Sequence, residues 1–112
     1  MIYGIGTDLV EIKRIKESLS DRFVNKILTV SEIEIYNSLR HEKRKIEFIA
    51  GRFAAKEAVS KAHGTGMDGI GFRDIEVLKD NGKPICTFKD FNVQISISHT
   101  DDYAVAFVIL EK

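Results

Sequence analysis

Between residues 53 and 62, Ala54, Ala55, Ala58, Val59 and Ala62 recur at helical spacing and share one arc of a helix. An arc of such small side chains brings the helix backbone close to whatever it packs on, and a sheet is the expected neighbour. The helix is predicted to run from about Lys45 to His63, with Gly64 as its natural stop. Beside the alanine arc lies a second stripe, in which Phe53, Glu57 and Lys61 follow one another at four-residue steps, extended backward by Ile49. Two faces of this helix are therefore expected to be buried, with charged groups wedged between them.

The sheet is sought elsewhere in the chain. "IYGIGTDLV" reads as a short strand in which Gly4 and Gly6 allow another backbone, or a ligand, to approach closely. Leu9, Ile12, Ile15 and Leu19 then follow at helical spacing, which predicts a helix and puts Asp8 near a strand-to-helix junction. A second helical piece covers "RFVNKIL", and "TVSE" at residues 29–32 matches a capping box opening a third through about Leu39. "RHEKRK" at residues 40–45 reads as a solvated linker or helix start. After a glycine-rich turn, "FRDIEVLKD" and "KPICTF" flank Asn81-Gly82 as a hairpin, with Pro84 marking an edge or a strand start. "VQISISH" and "YAVAFVIL" flank "TDD" as a second hairpin. The pattern is α+β: one strand, several helices, then an antiparallel meander.

Residues 1–112 are read as a single domain, too short for two cores. With 44% hydrophobic and 30% charged residues the composition is that of a globular chain, not a disordered one. Formal net charge is zero, so general attraction to nucleic acid or to a membrane surface is not expected. The first residues carry no basic lead and bring in Asp8 early, unlike a secretory signal, and no apolar run approaches the ~20 residues of a membrane span. A cytoplasmic protein is expected, in which the lone Cys86 acts as a small buried hydrophobe.

Four places can carry chemistry. Glu57 and Lys61 form either a surface i,i+4 ion pair or a partly desolvated acid–base pair with functional work. Asp8 is either a helix cap or an oxygen ligand for a hard cation such as Mg²⁺, and with Glu57 and a phosphorylated substrate it would make a plausible Mg²⁺ site. "HGTG" is either a helix stop or a turn in which Gly64, Thr65 and Gly66 admit a phosphate, although its spacing is not that of a phosphate-binding loop. "ISISHT" suggests a Ser98–His99–Asp triad. Strand alternation argues against that, because adjacent side chains point to opposite faces. What remains is hydrogen bonding to a ligand near the strand end, or a hairpin end with a satisfied histidine.

Taken together, "GIGTDLVEIKRI", "RFAAKEAVSKAHGTG" and "SISHTDDYAVAFVI" resemble, in order and spacing, the holo-acyl-carrier-protein synthases, short bacterial-type 4′-phosphopantetheinyl transferases. The resemblance spans essentially the whole chain; His63 departs from it, standing where the family more often has an apolar residue. It implies a ferredoxin-like α+β fold, an antiparallel sheet packed on a long helix, assembled as a homotrimer with active sites between subunits. The stripe of Ile49 and Phe53 would suit such an interface. It also implies transfer of the phosphopantetheine arm of coenzyme A to a serine of apo-acyl carrier protein, releasing adenosine 3′,5′-bisphosphate. Asp8 and Glu57 match the family's Mg²⁺ ligands. Glu57 would also help to deprotonate the serine, directly or through a water, and Lys61 would answer the developing negative charge. Gly64, Thr65 and Gly66 together with Ser98, His99 and Thr100 would contact the nucleotide and its phosphates, with Arg52 and Lys56 as additional phosphate ligands. The acidic carrier protein would dock on the basic segment holding Lys13, Arg14, Lys16, Arg22 and Lys26.

Overall fold

The computed structural model of the chain describes residues 1–66 and 69–112. Strand β1 (Ile2–Glu11) is followed by helices α1 (Ile12–Ser18), α2 (Asp21–Ile27), α3 (Val30–Ser38) and α4 (Glu42–His63). Two hairpins complete the chain: β2 (Ile75–Asp80) with β3 (Lys83–Phe88), and β4 (Asn92–His99) with β5 (Tyr103–Glu111). β1 comes back to pair with the last strand, giving an antiparallel sheet in the order β1-β5-β4, while β2 and β3 form a sheet of their own. The α+β class and the antiparallel sheet packed on a long helix are as expected.

The alanine arc does what its size suggests. Ala54, Ala55, Ala58 and Val59 are fully buried and Ala62 nearly so. α4 lies so close to β1 that a Cβ at Gly6 would stand 2.0 Å from the Ala58 carbonyl oxygen, and one at Gly4 would stand 1.9 Å from that of Ala62. The two glycines therefore serve backbone-to-backbone packing, with no room for a methyl group. On the strands, Val10, Ala104, Ala106, Val108 and Leu110 fill the same side of the sheet and complete the core.

The helix ends follow local chemistry. The Thr29 hydroxyl accepts from Glu32 N while Glu32 Oε1 accepts from Thr29 N at 2.8 Å, a complete capping box for α3. α4 begins at Glu42, three residues earlier than expected, so most of the charged 40–45 segment is its first turn. Gly64 closes it in the left-handed conformation, φ 95°. Asn81 and Gly82 take φ of 52° and 81°, the twist that a two-residue hairpin turn requires.

Two expectations fail. No helix starts at Leu9: β1 continues through Glu11, paired with Tyr103, and Leu9 lies 64% exposed on the sheet. The ladder to β5 outweighs the local helical spacing, a pairing that lies far away in sequence. Nor does the Ile49–Phe53 stripe, covered as expected, turn toward a neighbouring subunit: it packs inside the chain. Ile49 is fully buried, and Phe53 stacks between Phe23 and Phe72 at centroid distances of 6.2 and 5.5 Å. The uncovered apolar surface is instead the face of the sheet away from α4, where Ile5, Leu9 and Phe107 stand exposed.

Candidate active site

Strand alternation sends every second residue of β1 toward α4, so beyond Gly4 and Gly6 the next side chain on that face is Asp8. It arrives opposite the turn of α4 that carries Glu57 and Lys61. Lys61 Nζ donates to Asp8 Oδ1 at 3.0 Å and to the Thr7 carbonyl at 3.1 Å. Lys61 thus pairs with the distant Asp8, and the i,i+4 pair with Glu57 is not the one formed. Burial pushes the Glu57 carboxyl above its ordinary range, the neighbouring Asp8 charge pushes it further, and Lys61 opposes both. Asp8 and Glu57 line a common open cavity of about 600 Å³, with Arg14, Ile15, Phe23, Phe53 and Tyr103 along its other walls. Arg14, offered by the sequence only as part of a basic surface, is thus a member of this cavity.

The two carboxylates fit a hard divalent cation. They are oxygen donors on one wall of an open cavity, and a cationic ammonium already sits on one of them. Among the described residues no cluster of three or more His, Cys, Asp or Glu exists, so further positions would fall to water or a phosphorylated ligand.

A second cavity, about 230 Å³, lies elsewhere on α4 and shares no lining residue with the first. Arg44, Glu47, Phe48 and Arg52 of α4 meet Lys79, Gly82 and Pro84 of the first hairpin and Ile97 and His99 of β4. Arg52 is only 6% exposed, its guanidinium carbon stands 4.1 Å over the Phe48 ring, and its Nε is buried without a hydrogen-bond partner. Burial lowers its ordinarily very high pKa, with Glu32 opposing. A buried donor of this kind calls for an acceptor. His99 Nε2 lies 3.5 Å from Glu47 Oε2 on the α4 side of the sheet, whereas Ser98 is exposed on the other face.

Not every expected ligand is available. Lys56 is fully buried and turned away from both cavities: its Nζ donates to Glu32 Oε1 at 2.5 Å and to the Ile27 carbonyl at 2.7 Å. Burial pushes this ammonium down, with the Glu32 carboxylate opposing. It is an internal ion pair, so Lys56, contrary to expectation, is not placed to hold a phosphate. Thr100 Oγ1 accepts from Asp102 N at 3.1 Å and Tyr103 N at 3.0 Å, which commits that oxygen to the β4–β5 turn. Thr65 is exposed, within 3.1 Å of His63 Nδ1, and its hydroxyl donates to the Gly66 carbonyl. In the sequence the glycine-rich stretch goes on to Met67 and Asp68, which lie outside the described residues. Lys13, Arg14, Lys16, Arg22 and Lys26 are all exposed on α1 and α2.

Comparison with known proteins gives a consistent picture. The profile of the 4′-phosphopantetheinyl transferase superfamily matches residues 4–108. A holo-[acyl-carrier-protein] synthase of Staphylococcus aureus is 52% identical, covering 100% of this chain and 98% of its own. The crystal structure of a holo-(acyl-carrier-protein) synthase from Bacillus anthracis, in complex with CoA (3′,5′-ADP), superposes with a TM-score of 0.93 at 49% identity, over 99% of this chain and 97% of that one. The Helicobacter pylori enzyme in complex with coenzyme A gives a TM-score of 0.84 at 32% identity, over 96% and 99%.

Proposed function

The chain belongs to the 4′-phosphopantetheinyl transferase superfamily, and from that premise we propose that it is a Mg²⁺-dependent holo-acyl-carrier-protein synthase. It moves the 4′-phosphopantetheine arm of coenzyme A onto a serine of apo-acyl carrier protein and releases adenosine 3′,5′-bisphosphate. The observation that carries this reading is the meeting of Asp8 and Glu57, 49 positions apart, in one open cavity, with the Lys61 ammonium bonded to Asp8.

Asp8 and Glu57 hold the cation, which when bound neutralises charge on the pyrophosphate of coenzyme A. Glu57, raised by its partly buried setting, takes the proton of the attacking serine hydroxyl at a carboxylate oxygen. Lys61 has an exposed ammonium, able to leave Asp8 and donate to phosphoryl oxygens as negative charge grows there. Arg52 offers the buried, unpartnered Nε to a phosphate of the nucleotide, and His99 shares its cavity.

The carboxylates and Arg52 line separate cavities of one chain, an arrangement that suits a site completed by a neighbouring subunit. The open sheet face of Ile5, Leu9 and Phe107 suits such an assembly, a homotrimer on the family pattern, because exposed apolar patches of this kind mark contact surfaces. The acidic carrier protein docks along Lys13, Arg14, Arg22 and Lys26. Arg14 lies in the wall of the carboxylate cavity, so a partner bound there has its serine within reach of Glu57. A cytoplasmic setting matches these soluble substrates; no helix among the described residues is long and apolar enough to cross a membrane.

The test is mass spectrometry of apo-acyl carrier protein incubated with this protein, coenzyme A and Mg²⁺. One phosphopantetheine mass is expected on the carrier, lost on chelation of the metal and in Glu57→Gln. An unmodified carrier, or full turnover by Glu57→Gln, would overturn the reading.

A further inference from the structure

Lys56 and Glu57 are neighbours in the chain with opposite fates. Glu57 faces the cavity, while Lys56 points into the protein and meets a fully buried Glu32. Every oxygen of that carboxylate is used: Oε1 accepts from Lys56 Nζ and from Thr29 N, and Oε2 accepts from Val77 N at 2.7 Å. Lys56 Nζ also donates to the carbonyl of Ile27, and Thr29 Oγ1 donates to Glu76 Oε2 at 2.6 Å. One ion pair therefore ties α4 to the end of α2, the start of α3 and strand β2. On the β1 side, α4 is held by the contact of Gly4 and Gly6 with its carbonyls.

A buried ion pair is weak evidence for stability, since desolvation offsets much of its attraction; its best-attested use is to fix a register. A helix gripped only by a smooth alanine arc can rotate and slide at little cost. The contact with β1 specifies a distance, and by itself no angle. Lys56, with Phe53 stacked between Phe23 and Phe72 on a neighbouring face, supplies the angle, because consecutive helical side chains diverge by about 100°. With Lys56 anchored on Glu32, Glu57 is turned to the cavity.

We infer that Lys56 and Glu32 are positioning residues for the cation site: their pair sets the rotation of α4 that brings Glu57 beside Asp8. The inference rests on the functional reading above, and it concerns residues that touch neither substrate nor cation. Atoms that orient metal ligands are worth about ten- to a hundredfold in metal affinity.

The experiment is titration of the full-length protein with Mn²⁺, followed by electron paramagnetic resonance without coenzyme A, alongside steady-state transfer with Mg²⁺. The variants are Lys56→Met, which removes the anchor, and Glu32→Asp, which keeps the charge but shortens its reach and is the milder perturbation. Val108→Ala, a core change on β5, serves as a control for lost stability. All are measured well below their unfolding temperatures, with folding checked by circular dichroism. Lys56→Met is expected to weaken Mn²⁺ binding by about ten- to a hundredfold and to lower kcat, leaving KM for coenzyme A within about twofold. Glu32→Asp should show a smaller shift in the same sense, and Val108→Ala none. If Lys56→Met does not fold, Glu32→Asp decides. A folded Glu32→Asp or Lys56→Met with wild-type Mn²⁺ affinity overturns the inference, as does an equal loss in Val108→Ala. If wild type and Glu57→Gln bind Mn²⁺ alike, the cation-site reading falls and this inference with it.

Discussion

Among the described residues, helix α4 carries three lysine–carboxylate pairs, and two of them, at Lys56 and at Lys61, belong to different physical regimes. Lys56 meets Glu32 where neither side chain touches solvent, and each remaining polar atom of the carboxylate has a backbone partner. Lys61 meets Asp8 with about half of its own side chain in water. The first pair cannot be opened without stranding a charge in the core. The second can open at little cost, which is what a group must do if it is to exchange one anionic partner for another. The same two residue types on one helix thus give a fixed strut and a movable contact, and burial alone separates them.

The sharpest way to break this contrast is to delete each lysine. Lys56→Met should cost about 3–5 kcal/mol of folding stability, because removal of one partner leaves Glu32 charged and buried. Urea unfolding measures it, and a loss below about 1 kcal/mol would mean that the pair is not dry. Lys61→Met should change stability by less than about 1 kcal/mol. Its effect belongs to turnover instead, with kcat for transfer to carrier protein down by about 10²-fold, typical of losing one donor to a developing charge.

A finer probe is Cys86, which is buried near the Lys56 pair and whose thiol burial pushes up to about 12. The ordinary thiol titrates near 8.5, so the unfolded chain loses this proton first. Stability from this group is therefore intact below about pH 8.5 and falls as pH rises toward about 12. Comparing wild type with Cys86→Ala by alkaline denaturation isolates it, since other groups titrate in both, and the variant should show the shallower decline. The smallest effect is expected at Lys43 and Asp101, paired at 3.0 Å on the open surface. Each holds the other's charged form, raising Lys43 and lowering Asp101, yet Lys43→Ala should leave the melting temperature unmoved.

How much of this was legible depended on how far apart the interacting residues lie. The hairpin at Asn81-Gly82, the capping box at Thr29 and the end of α4 at Gly64 are local matters, and each reads directly from a few adjacent residues. The alanine arc announced a close neighbour, and Gly4 and Gly6 announced a strand able to be one. By contrast, β1 runs to Glu11 because Tyr103 pairs with it, and nothing near Leu9 records that. Lys56 looked like a spare cation because a helical wheel shows direction but not destination. Its partner Glu32 reads in the sequence only as a cap, although one carboxylate can serve a helix end and an ion pair together. The Ile49–Phe53 stripe is covered as its pattern says, but a pattern does not name the neighbour: Phe53 meets Phe23 of α2 and Phe72 within the chain. At the candidate site, local geometry left Glu57 undecided; the ligand chemistry of two carboxylates suggested Asp8 as its partner across 49 positions, and the resemblance chose between that reading and a surface ion pair.

The contact of Gly6 with the Ala58 carbonyl has one more consequence. Asp8 stands two residues beyond Gly6, and Glu57 immediately precedes Ala58. The two acids are therefore mounted on main chains that touch each other with no side chain between them. A joint of that kind has no rotamer to flip and no methylene to bend. The span between the two mounts behaves as a gauge block: it fixes how far apart they stand, while the Lys56–Glu32 pair fixes how they are turned.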